Sequence, residues 1–344
     1  MKMAEVLTPE QKETVYLASG SVDPELTDRI GEVMGVEVGG VERRSHPNGE
    51  SYVRFLDNVR ARDVLIVQSH ARSEFGSPND AWAEQMLMAS AAHLAGARSV
   101  TAVSPWLGYT RQDRKDKGRD PIGVQTVLRS LESAGVSHFM TVDMHAPASQ
   151  GNIFRPFDNL TMQPELRSAA VDELTQAGVD QNSWLIVAPD EGALKMARRH
   201  AKKIDGGVET VFIPKERDPA NSQRLIRESL GFDPDGRVCI MFDDIIDTAG
   251  TIVSAADELK RAGALQVYVA ATHNSLSGPA VDRIIDAGVI DRLITSDTHP
   301  ASENERRLGD VHRAVGCASI VGASLVANLT GGSVSELMDH ENYF

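Results

Sequence analysis

Long apolar runs are missing from this chain. None of its 344 residues falls in a stretch near the ~18 apolar residues that span a bilayer, so no membrane partner is expected. Cysteine is nearly absent. Cys239 and Cys317 stand far apart, match neither a disulfide framework nor a zinc site, and read as core residues in a reducing compartment. The leading MKMAEVLTPEQKET has no hydrophobic segment after its lysine, so no signal peptide is expected and the location reads as cytoplasmic. There is no Gly-Lys dipeptide and no Gly-x-Gly, which removes the main support for P-loop ATPases, protein kinases and dinucleotide-binding dehydrogenases. Positive charge is also short. Lys and Arg total 35 against 49 Asp and Glu, a net charge of −14, which disfavours a nucleic-acid partner. Anionic small substrates then require local basic clusters that overturn the global field.

The composition is 41% apolar and 24% charged, ordinary for a globular protein with a sizeable core, and the length favours two domains. Residues 1–13 are polar and aperiodic and read as a loose tail. From Val15 onward one pattern recurs: a helix closed by Ala-Gly, then a short β-branched strand. It occurs at Ala95-Gly96, Ala134-Gly135, Ala177-Gly178, Ala262-Gly263 and Ala287-Gly288. Glycine-capped helices feeding short apolar strands predict repeated β–α units in mostly parallel sheets flanked by helices. DVLIVQS…AAHLAGARSVTAVSP and VCIMFDD…DELKRAGALQVYVAATH share a layout, which predicts two duplicated α/β halves, residues 14–160 and 161–344. The C-terminal GGSVSELMDHENYF could pack back on the first half or stay with the second.

Ligands of such sheets bind beyond the carboxyl ends of the strands. The predicted strand ends deliver Gln68-Ser69, Pro105–Tyr109, Asp143-Met144-His145, Asp190-Glu191-Gly192, Lys215-Glu216-Arg217 and Asp243-Asp244. So many polar loops on one kind of edge point to an active site between the halves. The most informative stretch is VCIMFDDIIDTAGT, Val238–Thr251. Val238–Phe242 reads as a buried strand, Asp243 and Asp244 stand at its exit, and Asp247–Thr251 turns into a helix. A strand, a small polar turn and a helix start together form a phosphate cradle, with Thr248 and Thr251 adding hydroxyls. The neighbouring carboxylates then need sugar hydroxyls or a bridging metal. An ordinary α/β crossover with an acidic cap shares the same layout.

Two basic clusters interrupt the acidic field. Arg111–Asp120 carries Arg111, Arg114, Lys115, Lys117 and Arg119; it suits a polyphosphate, although most charge runs are simply solvated loops. Lys215 and Arg217 stand two apart after an apolar strand, so in extended backbone both face one way. That is the pairing a phosphoryl transition state uses, and equally a plain surface loop.

VCIMFDDIIDTAGTI resembles the phosphoribosyl pyrophosphate-binding signature of type I phosphoribosyltransferases and ribose-phosphate pyrophosphokinases. NGESYVRFLDNVRARDVLIVQS, GYTRQDRKDKGRDPI, TVDMHAPASQG, VAPDEGALK, PKERDPAN, THNSLSGPA and GGSVSELMD follow the order found in the ribose-phosphate pyrophosphokinase family, from about Val15 to the C-terminus. The resemblance implies two type I phosphoribosyltransferase-like α/β domains and pyrophosphoryl transfer from Mg·ATP to ribose 5-phosphate. It implies catalysis by Lys215 and Arg217, and ATP contacts from Arg111, Gln112 and, reaching a neighbouring subunit, Asn48, Gly49 and Glu50. It places ribose 5-phosphate on Asp243, Asp244, Asp247, Thr248, Ala249, Gly250 and Thr251. Mg²⁺ falls to His145, most comfortably through water, and Asp190, with Asp143 and Asp158 as second candidates. A homo-oligomer, hexameric in the family, is implied as well. The chain departs from the family pattern at His46-Pro47, where an aromatic is usual, at Phe154, where an acid is common, and at Trp106-Leu107. A non-catalytic regulatory subunit, which usually loses the catalytic loop, and a phosphoribosyltransferase, which lacks the ATP-side loops, are the alternatives.

Overall fold

The computed structural model describes residues 6–214 and 230–338. The chain forms an α/β fold of two compact units. Unit 1 holds the described residues up to Met162 with Thr298–Pro300 and those from Gly316 onward; unit 2 holds Gln163–Asp297 and Ala301–Val315.

Unit 1 contains strands β1 (Val15–Ser19), β2 (Val38–Gly39), β3 (Val41–Ser45), β4 (Ser51–Phe55), β5 (Asp63–Val67), β6 (Ser99–Ser104), β7 (His138–Val142) and β8 (Phe157–Leu160). Strands β3 and β4 form an antiparallel hairpin, and the others make one parallel sheet in the order β2-β1-β5-β6-β7-β8. Unit 2 contains β9 (Trp184–Ala188), β10 (Glu209–Phe212), β11 (Val238–Ile245), β12 (Gln266–His273), β13 (Arg292–Ser296) and β14 (His312–Val315). These run parallel in the order β10-β9-β11-β12-β13-β14. Setting the hairpin aside, both sheets place the second strand outside the first and then the remaining four in sequence. The order reverses at β1/β5 in unit 1 and at β9/β11 in unit 2, the switch points where open α/β sheets bind ligands.

The central strands are buried on both faces, as parallel sheets covered by helices require. Met88, Val127 and Leu131 cover the unit 1 sheet; Ile252, Ala256 and Leu259 cover that of unit 2. The expected Ala-Gly pattern is present: Gly96, Gly135, Gly178, Gly263 and Gly288 all adopt positive φ. The last long helix, Ala318–Thr330, lies in unit 1 against the helix Pro24–Met34. They meet so closely at Gly322 that an added Cβ would stand 2.7 Å from Val33 Cγ1.

Two details differ from the sequence reading. Residues Pro9–Thr14 are helical rather than a tail: Pro9 starts the helix, and Thr8 and Gln11 form a reciprocal capping box. Strand β11 continues to Ile245, so Asp243 and Asp244 lie on the strand itself, because Asp243 and Ile245 still pair with Ala271 and His273 of β12. Among the described residues no helix is long and apolar enough to cross a membrane.

Unit 2 is clamped at one sheet edge by Glu173 of the helix Gln163–Gln176. Its carboxylate accepts a two-pronged contact from Arg292 on β13, at 2.6 and 2.9 Å, and a third hydrogen bond from Arg313 on β14 at 2.7 Å. Burial pushes the Glu173 pKa up, but the two guanidinium partners outweigh it and hold it below the usual glutamate value. The clamp therefore stabilises the fold above the unfolded glutamate pKa and is lost as pH falls through the depressed folded value. We expect Glu173→Gln to lower unfolding free energy by about 2 kcal/mol near neutral pH. In urea titrations the gap from wild type should close under acid.

Candidate active site

Because all strands of each sheet are parallel, their carboxyl ends share one edge, and most expected site residues sit there. In unit 2, Asp190 follows β9 and Asp243–Thr251 closes β11, the two strands flanking the switch point. The structure thus brings Asp190 and the acidic strand end together. Burial, then the charges of Asp244 and Asp190, raise the Asp243 pKa well above the carboxylate range. Asp243 Oδ1 accepts the Asp244 N–H at 2.8 Å, and Asp190 accepts the Ala193 N–H at 3.2 Å.

The turn that follows has the form a phosphate needs. Ala249 takes left-handed backbone, φ 58°, and the helix Gly250–Arg261 then starts with no side-chain cap. Thr248, Gly250 and Thr251 are exposed, while the Ala249 methyl is buried in the unit 2 core. Uncapped N–H groups at a twelve-residue helix, flanked by two threonine hydroxyls, favour a doubly charged oxyanion. The turn is braced from outside: Arg283 Nη1 donates to the Thr248 carbonyl at 2.8 Å, and the Ser277 N–H to the Asp247 carbonyl at 2.8 Å. Sequence reading missed Arg283, since AVDRIIDA gives no sign that its arginine faces another turn.

A second brace lies beneath. Gln163 Nε2 donates to Thr272 Oγ1 at 2.8 Å and to the Asp243 carbonyl at 3.3 Å. Its Oε1 accepts from buried His200 Nε2 at 2.9 Å, and the His200 ring stacks on Phe242 at 3.6 Å. No motif marks either residue; only their polarity at buried helical positions could have.

In unit 1, Arg111 and Gln112 follow β6, and His145 follows the neighbouring β7; all three are exposed. Asn48, Gly49 and Glu50 form the exposed tip of the β3–β4 hairpin. The His46 N–H donates to the Glu50 carbonyl at 2.8 Å, and Gly49 supplies φ 90°. His46 meets Tyr52 edge-on at 6.0 Å, and Arg44 covers the Tyr52 ring at 4.2 Å.

The second metal candidates are otherwise engaged. Asp143 is buried and accepts the Met162 N–H at 2.9 Å. Asp158 lies inside β8, bound to His138 at 2.8 Å and Asn328 at 2.7 Å. Phe154 is 95% exposed, and Trp106 lies against His299 at 5.2 Å. Lys215 and Arg217 lie outside the described residues. Among the described residues no group of three or more His, Cys, Asp or Glu is gathered to hold a metal. A unit 1 cavity of about 270 Å³, lined by Ser21, Arg43, Ser45, Ser77 and Glu84, contains none of the expected site residues.

Comparison with known proteins agrees with this layout. Residues 15–135 match the profile described as the N-terminal domain of ribose phosphate pyrophosphokinase, and residues 209–338 match the phosphoribosyl synthetase-associated domain. The chain is 37% identical to a ribose-phosphate pyrophosphokinase of Bifidobacterium longum, over 97% of this chain and 95% of that one. It is 35% identical to one of Streptomyces avermitilis, over 98% and 100%. The crystal structure of phosphoribosylpyrophosphate synthetase from Mycobacterium smegmatis matches with a TM-score of 0.82 at 31% identity, covering 93% of this chain and all of that one.

The raised Asp243 pKa has a sign that can be checked. Its folded value exceeds its unfolded one, so this group binds more protons folded than unfolded, and ligand-free stability falls as pH rises above the carboxylate range. Asp243→Asn keeps the acceptor for Asp244 and removes the charge. We expect it to stabilise the ligand-free protein by on the order of 1 kcal/mol at about pH 9 and negligibly at about pH 4, read by urea unfolding at both.

Proposed function

Since the chain belongs to the ribose-phosphate pyrophosphokinase family of enzymes, we propose that it transfers the pyrophosphoryl group of Mg·ATP to the anomeric hydroxyl of ribose 5-phosphate. The products are 5-phosphoribosyl 1-pyrophosphate and AMP, made for nucleotide biosynthesis. The observation that carries this reading is the Asp243–Thr251 segment: a desolvated carboxylate beside a second one, and an uncapped helix start, a few residues apart at a switch point. A sugar phosphate has the matching halves.

In this mechanism the N–H groups and hydroxyls of Thr248–Thr251, with Asp247, hold the 5-phosphate, and Asp243 and Asp244 accept hydrogen bonds from the ring hydroxyls. That grip orients the anomeric oxygen for in-line attack, which converts a bimolecular encounter into a positioned one. Arg111 and Gln112 bind the nucleotide phosphates, and Asn48–Glu50 serve the adenine of a neighbouring subunit. Lys215 and Arg217 neutralise charge developing on the transferred phosphoryl group, the lysine as a point charge and the arginine as a planar fork.

Magnesium takes hard oxygen ligands, commonly one or two carboxylates completed by substrate phosphates. Asp190 beside Asp243 and Asp244 fits that description, because the repulsion that raises the Asp243 pKa is what a divalent cation relieves. Asp190 would hold the ion directly; His145, where it serves a metal, would do so through water. When bound, the ion supplies neutralisation of the β,γ-phosphate charge. The enzyme is proposed to act in the cytoplasm as a homo-oligomer, a hexamer by family likeness, with no nucleic-acid or membrane partner.

The direct test supplies purified protein with ATP, Mg²⁺ and ribose 5-phosphate and follows AMP. We expect AMP release that depends on the sugar; its absence across a range of inorganic phosphate concentrations would falsify the reading. Lys215→Ala is expected to lower turnover roughly a hundredfold or more, about 3–4 kcal/mol of transition-state stabilisation, with the thermal midpoint unchanged.

A further inference from the structure

Arg111 and Gln112, to which the proposed reaction assigns the nucleotide phosphates, belong to neither a strand nor a helix. The segment that leads to them, Pro105–Thr110, is largely buried, and one side chain holds its middle. The Gly108 N–H donates to Nδ1 of His70 at 3.2 Å. His70 has no exposed surface, and its Nε2 lies 2.9 Å from Gln85 Oε1. Because the backbone N–H can only donate, Nδ1 carries the lone pair and the ring proton sits on Nε2, where it donates to Gln85.

Gln85 is itself fixed in orientation. Ser104 Oγ donates to its Oε1 at 3.1 Å, and its Nε2 donates to the Ile66 carbonyl at 3.3 Å. Both nitrogens of the imidazole are thus satisfied, and the network ties β5, β6 and the helix Pro78–Leu94 to the segment. Burial also pushes the His70 pKa down to about 4, which keeps Nδ1 available as an acceptor near neutral pH.

A second observation concerns space rather than polarity. A Cβ added at Gly108 would stand 3.0 Å from His70 Cβ and 3.4 Å from Nδ1, so glycine is what lets the backbone come this close. Adjacent bonds act on the same segment. The His70 N–H donates to the Trp106 carbonyl at 2.8 Å, and the Trp106 N–H to Ser69 Oγ at 3.2 Å. One residue past Gly108, Tyr109 turns left-handed at φ 65°, and its carbonyl accepts the Gln112 N–H at 2.9 Å. The turn presenting Arg111 and Gln112 therefore begins where His70 grips, and a displacement at Gly108 moves both.

We propose that His70 is a positioning residue for the nucleotide: through Gly108 it fixes the turn that offers Arg111 and Gln112 to the polyphosphate. It touches no substrate. The inference rests on the kinase reading and adds the device that sets its nucleotide side.

Three variants test it. His70→Leu removes the acceptor, His70→Asn restores one with Oδ1 near the place of Nδ1, and Gly108→Ala pushes the segment off from the other side. Binding of a non-hydrolysable ATP analogue is measured by calorimetry, and KM for each substrate by AMP release. His70→Leu and Gly108→Ala are expected to weaken analogue binding and raise KM for ATP roughly tenfold, as a stranded buried N–H predicts. KM for ribose 5-phosphate should stay within about twofold, and His70→Asn should recover most of the loss.

Unchanged analogue binding in both His70→Leu and Gly108→Ala overturns the proposal. So does a parallel rise in both KM values with no rescue by asparagine, the signature of general loosening. Gly108→Ala keeps the test intact if His70→Leu fails to fold. A wild-type protein that releases no sugar-dependent AMP sinks the kinase reading before any variant is compared, and this inference with it.

Discussion

Unit 2 is arranged around a repulsion. Asp243 is drawn out of water by the same β11 pairing that builds the sheet, and Asp244 and Asp190 oppose it with charge of its own sign. A few residues on, the backbone makes the opposite field: left-handed Ala249 opens the helix Gly250–Arg261 with no side chain to cap it. Like charges crowd one end of the segment, and a helix start with no side-chain cap lies at the other. Strain of this kind persists only where the surroundings over-determine it. Here Arg283, Ser277 and Gln163 hold the segment from three sides.

The two units share a strand order but not a use of it. Unit 1 inserts the β3–β4 hairpin between its second and third sheet strands and carries the Asn48–Glu50 tip there. Its exposed basic residues follow β6, whereas the acids of unit 2 flank its switch point. Each unit also seats a buried neutral histidine behind a working segment, His70 under Gly108 and His200 under the start of the acidic stretch. For each, burial lowers the pKa, so the ring acts as a fixed donor or acceptor and not as a charge. One strand order carries different charge at its strand ends because the loops differ, while the sheet stays the same.

The fold was largely legible because its signals are local. Apolar runs and the Ala-Gly helix ends marked the strands and helices, and parallel sheets follow from that alternation. The strand ends were legible too, except at Ile245, where pairing with β12 carries two carboxylates further along β11 than hydropathy suggests. The Asp247–Thr251 turn into a helix could be read because backbone geometry there needs small residues. The bracing residues could not. Arg283, Gln163, His200, His70 and Gln85 matter through contacts made from distant parts of the chain, and a lone buried polar residue carries no pattern. The Pro9–Thr14 helix was missed for a simpler reason: it has no buried residue to create a period.

The division of the chain has a consequence for biosynthesis. Thr298–Pro300 and the Ala318–Thr330 helix belong to unit 1, although the intervening Ala301–Val315 belongs to unit 2. The Ser69 hydroxyl donates to the Thr298 carbonyl at 2.6 Å across 229 residues of sequence. Growing from its N-terminus on the ribosome, the polypeptide cannot finish its first unit until nearly all of the second has emerged. Loop closure over such a separation is entropically slow. A nascent or truncated chain ending near Met162 would therefore leave the helix Pro24–Met34 without its cover, making incomplete translation products natural clients for chaperones and proteases.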